Sequence, residues 1–480
     1  MTKSIGIGLA GFGTVGAGVF DYLQHQSDLL AQRSGFRFDV RSIVVRDLKK
    51  NRDVAAPSSL FTTSWRDLLK DPEIKIVVEL LGGTTDALDL IKAAIESGRM
   101  VVTGNKALLA EHGQEIFALA KKHDVPIFYE AAVAGGIPII QSLRDAFVGN
   151  RIESIHGILN GTSNYILSRM QEAGLDYKAA LAEATELGYA EADPTLDING
   201  GDAAHKAIIL AALAYGFWVK PEAIRVDGIE EVTATDIAFA RNLGYHIKLL
   251  ATIRSAPDDS IEVTVAPTLI SKNSVLASVN GVFNAIAVKG DLVGDALFYG
   301  RGAGRKPTAS SVIGDLVEAA FMLDLLHNST ANAHCGVAPV LASSSIRYTL
   351  SRCAPEAPGT ASPAAISARG LLDSSRRHVG FASHTLYGAS RAATDICSYY
   401  YLRLTVEDQP GVLGKIATLL GAAEIGIASA IQPESLEGSE TSLVFMTHQA
   451  SYGMMRSALK EIEKLACVKA KPVIFNVEAV

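Results

Sequence analysis

Cysteine is scarce in this chain: Cys335, Cys353, Cys397 and Cys467 are the only four in 480 residues, with no Cys-x-x-Cys pair and no metal-ligand spacing. That excludes a disulfide framework and a zinc module, and it fits reduced thiols in the cytoplasm. A basic excess is lacking too, since 44 Lys and Arg face 51 Asp and Glu and the pI is near 5.9. No field of that kind draws nucleic acid or an anionic membrane. No apolar run reaches about 18 residues without a polar break, so neither a membrane span nor a secretory signal core is expected. What is abundant is core material, with 48% of residues hydrophobic. The length suggests about three domains, and small-molecule chemistry is the expected occupation.

Residues 4–10, SIGIGLA, read as a short buried strand, followed by GFGTVG and the amphipathic AGVFDYLQHQSDLLAQ. Strand, glycine turn and helix in that order are the start of a dinucleotide fold. The alternation continues through VRSIVVRD, IKIVVELLGG, DALDLIKAAIESG, RMVVTGNK, ALLAEHGQEIFALAKKH and VPIFYEAAV. It predicts an α/β, Rossmann-like doubly wound parallel sheet over residues 1–138. From 139 to 299 a second, α+β domain is expected, with strands such as IESIHGIL and SIEVTVAP. Residues 300–328 read as a glycine loop and one long helix that completes the first domain. The Ser-, Ala- and Pro-rich stretch 329–398 reads as a linker, crossed by few core-type residues and therefore removable together with the C-terminal residues beyond it. Over 399–480 the pattern β-α-β-β-α-β predicts a ferredoxin-like module.

Gly11, Gly13 and Gly16, with Phe12, Thr14 and Val15 between them, supply a tight turn, close backbone approach to a pyrophosphate and a helix N-terminus that favours an anion. The second strand ends in Arg46-Asp47. Arg46 suits the 2′-phosphate of NADP, Asp47 suits the ribose of NAD, and a solvated turn is the plain alternative. A different cluster lies in GYAEADPTLDINGGDAAHK, residues 188–206, which runs straight into the apolar AIILAALAYG. Asp202 falls in the first turn of the expected helix, where its charge suits the dipole, and Lys206 lies four residues on. Because the rest of that helix is apolar all round, it is buried, and its first turn alone meets solvent or ligand. Glu191, Asp193 and Asp197 precede it in a loop able to converge on the same cavity. Such a set suits an amino-acid substrate, against the alternative of an exposed Asp-Lys pair.

The spacing A-x3-G-Y-A-x2-D-P-x2-D-I-x-G-x-D-x3-K, from Ala184 to Lys206, resembles the signature of homoserine dehydrogenases. VVTGNKALLA, FYEAAVAGGIPII, ILNGTSNYIL and GRGAGRKPTAS extend the resemblance over residues 4–325. It implies NAD(P)-dependent interconversion of L-homoserine and L-aspartate 4-semialdehyde, with 139–299 as the catalytic and dimerisation domain. Lys206 would exchange the proton, Lys106 would assist beside the nicotinamide, and Tyr189, Glu191, Asp197 and Asp202 would hold the substrate. Gly188, Gly302 and Gly304 would help bind the cofactor, NADP or alternatively NAD. Glu130, Val133, Gly135 and Ile137 match a segment whose oxygens hold a monovalent cation, Na⁺. The chemistry agrees, since an aldehyde receiving hydride needs a proton on the developing alkoxide and an ammonium supplies it. Burial and Asp202 act on the resting charge of Lys206 in opposite senses, which leaves that charge open. Gly104 stands where the family usually has alanine.

Residues 400–480, with VEDQPGVLGKIA, are similar to ACT regulatory domains, which implies an amino-acid effector, L-threonine, held near Asp408 and Gly411. Such ligands sit between paired modules, so a homodimer or homotetramer is expected. The chain opens on the Rossmann strand, from which a monofunctional enzyme of threonine, methionine and isoleucine biosynthesis is expected. Two alternatives stand: another NADP-dependent oxidoreductase of amino-acid metabolism, or a catalytically silent amino-acid sensor.

Overall fold

The computed structural model describes residues 2–333, 386–432 and 440–478, arranged in two compact units. The first comprises residues 1–132 with the segment from Gly304 onward. Its strands are β1 (Lys3–Ala10), β2 (Phe36–Val44), β3 (Phe61–Thr62), β4 (Ile74–Glu79), β5 (Met100–Thr103) and β6 (Ile127–Phe128). They pair in parallel in the order β3-β2-β1-β4-β5-β6, the doubly wound arrangement expected from the alternating pattern. The order reverses between β1 and β4, which opens a crevice at their carboxyl ends. Ile7, Leu9, Ile76, Val78 and Val102 are buried, because a sheet covered on both faces needs continuous apolar strands. The long helix Arg305–Ala333 lies on this sheet, with Val312, Leu316 and Ala320 in the same core. It approaches the Thr14–His25 helix so closely that a Cβ at Gly18 would sit 2.7 Å from Arg305 Cγ.

The second unit comprises residues 133–303 and 383–480. Its strands are β7 (Ile152–Ile158), β8 (Arg225–Val226), β9 (Tyr245–Ser255), β10 (Ile261–Ser271), β11 (Phe283–Gly290), β12 (Gly294–Arg301), β13 (Cys397–Glu407), β14 (Ile427–Ile431), β15 (Glu440–Thr447), β16 (Ala450–Ser451) and β17 (Val473–Glu478). With the helices Val412–Ala422 and Tyr452–Glu463, β13, β14, β15 and β17 form the expected β-α-β-β-α-β module, to which the two-residue β16 is added against the start of β13. Nothing in its pattern hints that its sheet is not separate. β17 pairs in parallel with β10, so the order runs β12-β11-β7-β9-β10-β17-β13-β15-β14 in one sheet. β10 is therefore buried along nearly its whole length, and the Gly201–Tyr215 helix packs on it and on β9.

Of the expected linker 329–398, residues 334–385 lie outside the described residues, together with Cys335 and Cys353. Residues 329–333 continue the long helix. Residues 386–396 are docked: Ile261 donates to the Ala389 carbonyl at 2.9 Å, Arg391 donates back to the Ile261 carbonyl at 2.8 Å, and Tyr387 packs its ring 4.9 Å from Tyr215. Backbone pairing with a strand edge needs no apolar periodicity, which is why linker composition conceals it. Among the described residues no helix is long and apolar enough to cross a membrane.

Candidate active site

In the first unit the crevice is shaped by glycines with different duties. Gly11 leaves β1 with φ 104°, and a Cβ there would lie 2.3 Å from the Leu80 carbonyl oxygen. At Gly16 a Cβ would meet the Gly11 carbonyl oxygen at 2.0 Å, so only glycine lets the helix approach its own turn. Gly13 faces open space and caps the Thr14–His25 helix without a side-chain hydrogen bond. The first-turn N–H groups are thus presented to an anion. Gly13, Thr14, Val15 and Gly16 line a cavity of about 370 Å³ that Asn105 and Lys106 border from the start of the helix after β5. Phe12 turns its ring into the core against Phe20 and Phe61, so only its backbone serves the turn. This cradle suits a dinucleotide pyrophosphate. Arg46 and Asp47 stand exposed just past β2 and do not line that cavity.

Two residues organise this crevice that the sequence reading passed over. Glu79, fully buried at the end of β4, accepts from Thr103 Oγ1 at 2.6 Å and from the Leu81 N–H at 2.8 Å. Burial pushes its carboxyl above the usual range, and these bonds oppose the shift. Asn105 donates to the Gly83 carbonyl at 2.7 Å and caps the Lys106–His123 helix by accepting from the Leu108 N–H at 3.2 Å. Lys106 is thereby fixed at a helix start. An acid ending an apolar strand, as in IKIVVE, is the signal that marks Glu79.

In the second unit Gly200, at φ 85°, turns the chain into the Gly201–Tyr215 helix. Asp202 and Lys206 are 3% and 7% exposed, and Nζ lies 2.6 Å from Asp202 Oδ2. Nζ also donates to the Leu159 carbonyl at 2.6 Å. Asn160, another residue without a role in the sequence reading, donates to Asp197 Oδ1 at 2.7 Å and to Asp202 Oδ2 at 2.9 Å. Its own Oδ1 caps the Gly161–Ala173 helix through the Ser163 N–H. Asn160 therefore links the half-buried Asp197 to the buried Asp202–Lys206 pair, which shares one helix face as the spacing predicted. Gly188 makes a left-handed turn at φ 73°, after which Tyr189 packs its ring 4.9 Å from that of Tyr165 and accepts Thr162 Oγ1 on its carbonyl at 2.8 Å. Glu191 is exposed. Asp193 does not converge: it accepts from the Thr195 N–H at 3.1 Å and Thr195 Oγ1 at 2.6 Å, which holds its carboxyl below the usual range. The short helix Thr195–Ile198 begins beside it and offers nearer donors than the cluster does.

Three family models match this chain: homoserine dehydrogenase over residues 138–317, the homoserine dehydrogenase NAD binding domain over 11–130 and the ACT domain over 400–467. A homoserine dehydrogenase from Neisseria gonorrhoeae is 40% identical over 471 residues, covering 98% of each chain. The chain belongs to the homoserine dehydrogenase family. The crystal structure of a homoserine dehydrogenase from Thiobacillus denitrificans aligns with a TM-score of 0.82 at 38% identity, over 99% of this chain and 98% of that one. A hyperthermophilic archaeal homoserine dehydrogenase in complex with NADPH aligns at 0.55 and 29% identity, over 66% of this chain and 98% of its own. This member of the family is thus an NAD(P)-dependent oxidoreductase with a C-terminal ACT module.

The segment expected to hold a cation turns sharply. Glu130 is buried, and its N–H donates to Asp315 Oδ2 at 3.0 Å. Ala134 and Gly135 both have positive φ, 54° and 53°, and a Cβ on Gly135 would lie 2.5 Å from the Gly302 carbonyl oxygen. Ile137 closes this turn by donating to the Ala134 carbonyl at 3.0 Å, and Val133 is buried at its start. Among the described residues no group of three or more His, Cys, Asp or Glu forms a metal-ligand set. Gly304, at φ 116°, starts the long helix. In the ACT module Gly411, at φ 88°, opens the Val412–Ala422 helix without a side-chain cap, and Asp408 Oδ1 accepts from Gln432 Nε2 at 2.9 Å.

Proposed function

We propose that this protein catalyses the reversible, NAD(P)H-dependent reduction of L-aspartate 4-semialdehyde to L-homoserine in the cytoplasm, a step toward threonine, methionine and isoleucine. The observation that carries this reading is the buried Lys206–Asp202 pair at the mouth of an apolar helix, with Asp197 joined to it through Asn160. A nicotinamide dinucleotide held along Gly11 to Gly16 would supply the hydride that the aldehyde carbon needs. Lys206 gives its proton to the developing alkoxide and offsets its charge, while Asp202 and the Leu159 carbonyl aim the ammonium. Asp197, Glu191 and Tyr189 hold the amino-acid end of the substrate, where carboxylates attract its ammonium. Residues Gly11 to Gly16 hold the pyrophosphate, Lys106 attends the nicotinamide, and Gly188, Gly302 and Gly304 complete the cofactor's binding.

Arg46 favours NADP over NAD, a reading supported by the NADPH complex of the archaeal relative. Oxygens of Glu130, Val133, Gly135 and Ile137 hold Na⁺. Residues 1–138 with 300–328 bind the nucleotide, 139–299 carry catalysis and dimerisation, and 399–480 receive L-threonine at Asp408 and Gly411 in a homodimer or homotetramer. Purified protein is expected to oxidise NADPH with L-aspartate 4-semialdehyde and to reduce NADP⁺ with L-homoserine. Inactivity in both directions, with NAD(H) as well as NADP(H), would overturn the assignment.

A further inference from the structure

We infer that Asn284 is a positioning residue for Lys206, acting through the Leu159 carbonyl; this rests on the reading of Lys206 as the proton-transfer group. Asn284 lies on β11 next to the end of β7, where Ala285 pairs with Ile158, and it is 1% exposed. Its Nδ2 donates to the Leu159 carbonyl at 2.9 Å, the same oxygen that takes Lys206 Nζ at 2.6 Å. A carbonyl oxygen has two lone pairs, and here both are engaged. The direction of that C=O is set by a neutral donor held rigidly in the sheet, and the flexible lysine then aligns on it. An amide suits the position because a second cation would repel Nζ and a carboxylate would repel the carbonyl oxygen. The next residue is Asn160, which bridges Asp197 and Asp202, so any rotation of the Leu159–Asn160 peptide displaces the acceptor of Lys206 and the acid bridge together.

Two further observations single out this amide. Asn284 Oδ1 is buried and has no hydrogen-bond partner among the described residues. Leaving an acceptor unpaired is unfavourable, so the amide is retained here for its donor. The second is Gly302, where a Cβ would lie 2.1 Å from both Cγ and Nδ2 of Asn284. The amide occupies room beside Gly302 that only glycine leaves. Gly302 thereby has a reason for being glycine that is independent of any nucleotide.

The test compares Asn284→Ala, Asn284→Ser and Gly302→Ala in the full chain, each checked for a cooperative melt, with Lys206→Met alongside. Misalignment of the proton donor is expected to lower kcat by about tenfold to a hundredfold in Asn284→Ala while leaving the KM for NADPH unchanged. Asn284→Ser, whose hydroxyl still donates, should recover part of that loss. Gly302→Ala should lower kcat through the displaced amide, and the double variant with Asn284→Ala should be no worse than either single one. A folded Asn284→Ala with wild-type kcat overturns the inference, as does a Gly302→Ala whose effect falls only on the KM for NADPH. If Asn284→Ala does not fold, the Ser and Gly302 variants decide by the same readouts. Turnover retained in Lys206→Met would sink the reading of Lys206 itself; an inactive Lys206→Met beside fully active Asn284 variants would sink only the role of Asn284.

Discussion

Arg403 of the ACT module donates from Nε and Nη2 to the two carboxylate oxygens of Asp236, at 2.6 and 3.0 Å. Tyr401 adds its hydroxyl to Asp236 Oδ1 at 2.9 Å, and Asp236 itself is completely buried. The same carboxylate closes a capping box with Thr233 at the start of the Ala234–Asn242 helix. Arg403→Ala leaves that charge buried without its cation, which is expected to cost about 3–5 kcal/mol of stability. Urea unfolding of the variant measures it; a loss below about 1 kcal/mol would mean the pair is as weak as a surface one.

The join between β17 and β10 bears on removal of the module. Thr268, Leu269 and Ile270 pair with Asn476, Val477 and Glu478. Arg254 reaches Glu478 at 3.2 Å and the Cys397 carbonyl at 2.9 Å, and Arg225 reaches Asn476 at 2.8 Å. The expectation that few core residues cross this boundary is therefore corrected. A chain ending near residue 328 loses the strand that covers Thr268, Leu269 and Ile270 while β8 still pairs with Thr264 and Val265, and the short uncovered stretch of β10 invites association. Light scattering and thermal melting of that fragment should reveal aggregation and a lowered midpoint. A monodisperse fragment with the full-length melting temperature contradicts this.

Legibility in the sequence tracks the range of the forces involved. The turn at Gly11–Gly16 is legible because the clash that demands glycine at Gly16 is with the Gly11 carbonyl five residues back and the positive φ of Gly11 is a local need, although the clash of Gly11 with Leu80 is tertiary. The Asp202–Lys206 pair is legible because helical spacing alone puts the two on one face. The β10–β17 join is not, since Ile270 and Glu478 are paired by tertiary packing and either strand reads the same without the other. Asn160 has the appearance of a helix cap and is one; its second duty toward Asp197 and Asp202 depends on a loop brought back from residues beyond 190. Asp193 and Asp197 look alike in sequence, and only the local turn at Thr195 separates them.

Arg46 tests cofactor choice. It stands exposed past the carboxyl end of β2, on the side of the sheet's ligand-binding edge. If it meets the 2′-phosphate, Arg46→Ala loses a charge-assisted contact of about 1.5–3 kcal/mol, which is about a tenfold or greater rise in the KM for NADPH. The KM for NADH should stay near its original value. Equal changes for both cofactors would remove Arg46 from recognition of that phosphate.

Regulation is tested at Asp408. Its carboxylate and the uncapped helix start at Gly411 belong to one loop, so an amino acid can meet an anion and free N–H groups there. Asp408→Ala is expected to raise the threonine concentration for half-inhibition by about tenfold, each enzyme being compared with its own rate without threonine. Calorimetry on the full-length protein supplies the independent check. Absence of threonine binding to the unaltered protein would remove threonine as the effector.

Lys248 gives the fold a dependence on alkaline pH. It is 1% exposed, and Nζ donates to the Val279 carbonyl at 2.6 Å, to Asn280 Oδ1 at 2.9 Å and to Asn164 Oδ1 at 3.3 Å. These are neutral oxygens, so burial dominates and pulls the amine down to about 8 from 10.5, opposed only by the field of Glu172. The unfolded chain keeps the ordinary value, and between those two points it binds more protons than the folded one. Stability contributed by this group therefore rises with pH through that window, and below about pH 8 the full burden of the buried charge persists. Lys248→Met removes the titration. From about pH 8 to about pH 10 the unfolding free energy of the unaltered protein should rise relative to that of the variant by about 2 kcal/mol. Urea unfolding across that range measures the difference. Parallel curves for the two proteins would mean that the amine of Lys248 stays charged in the fold, and that its three oxygen partners offset the burial.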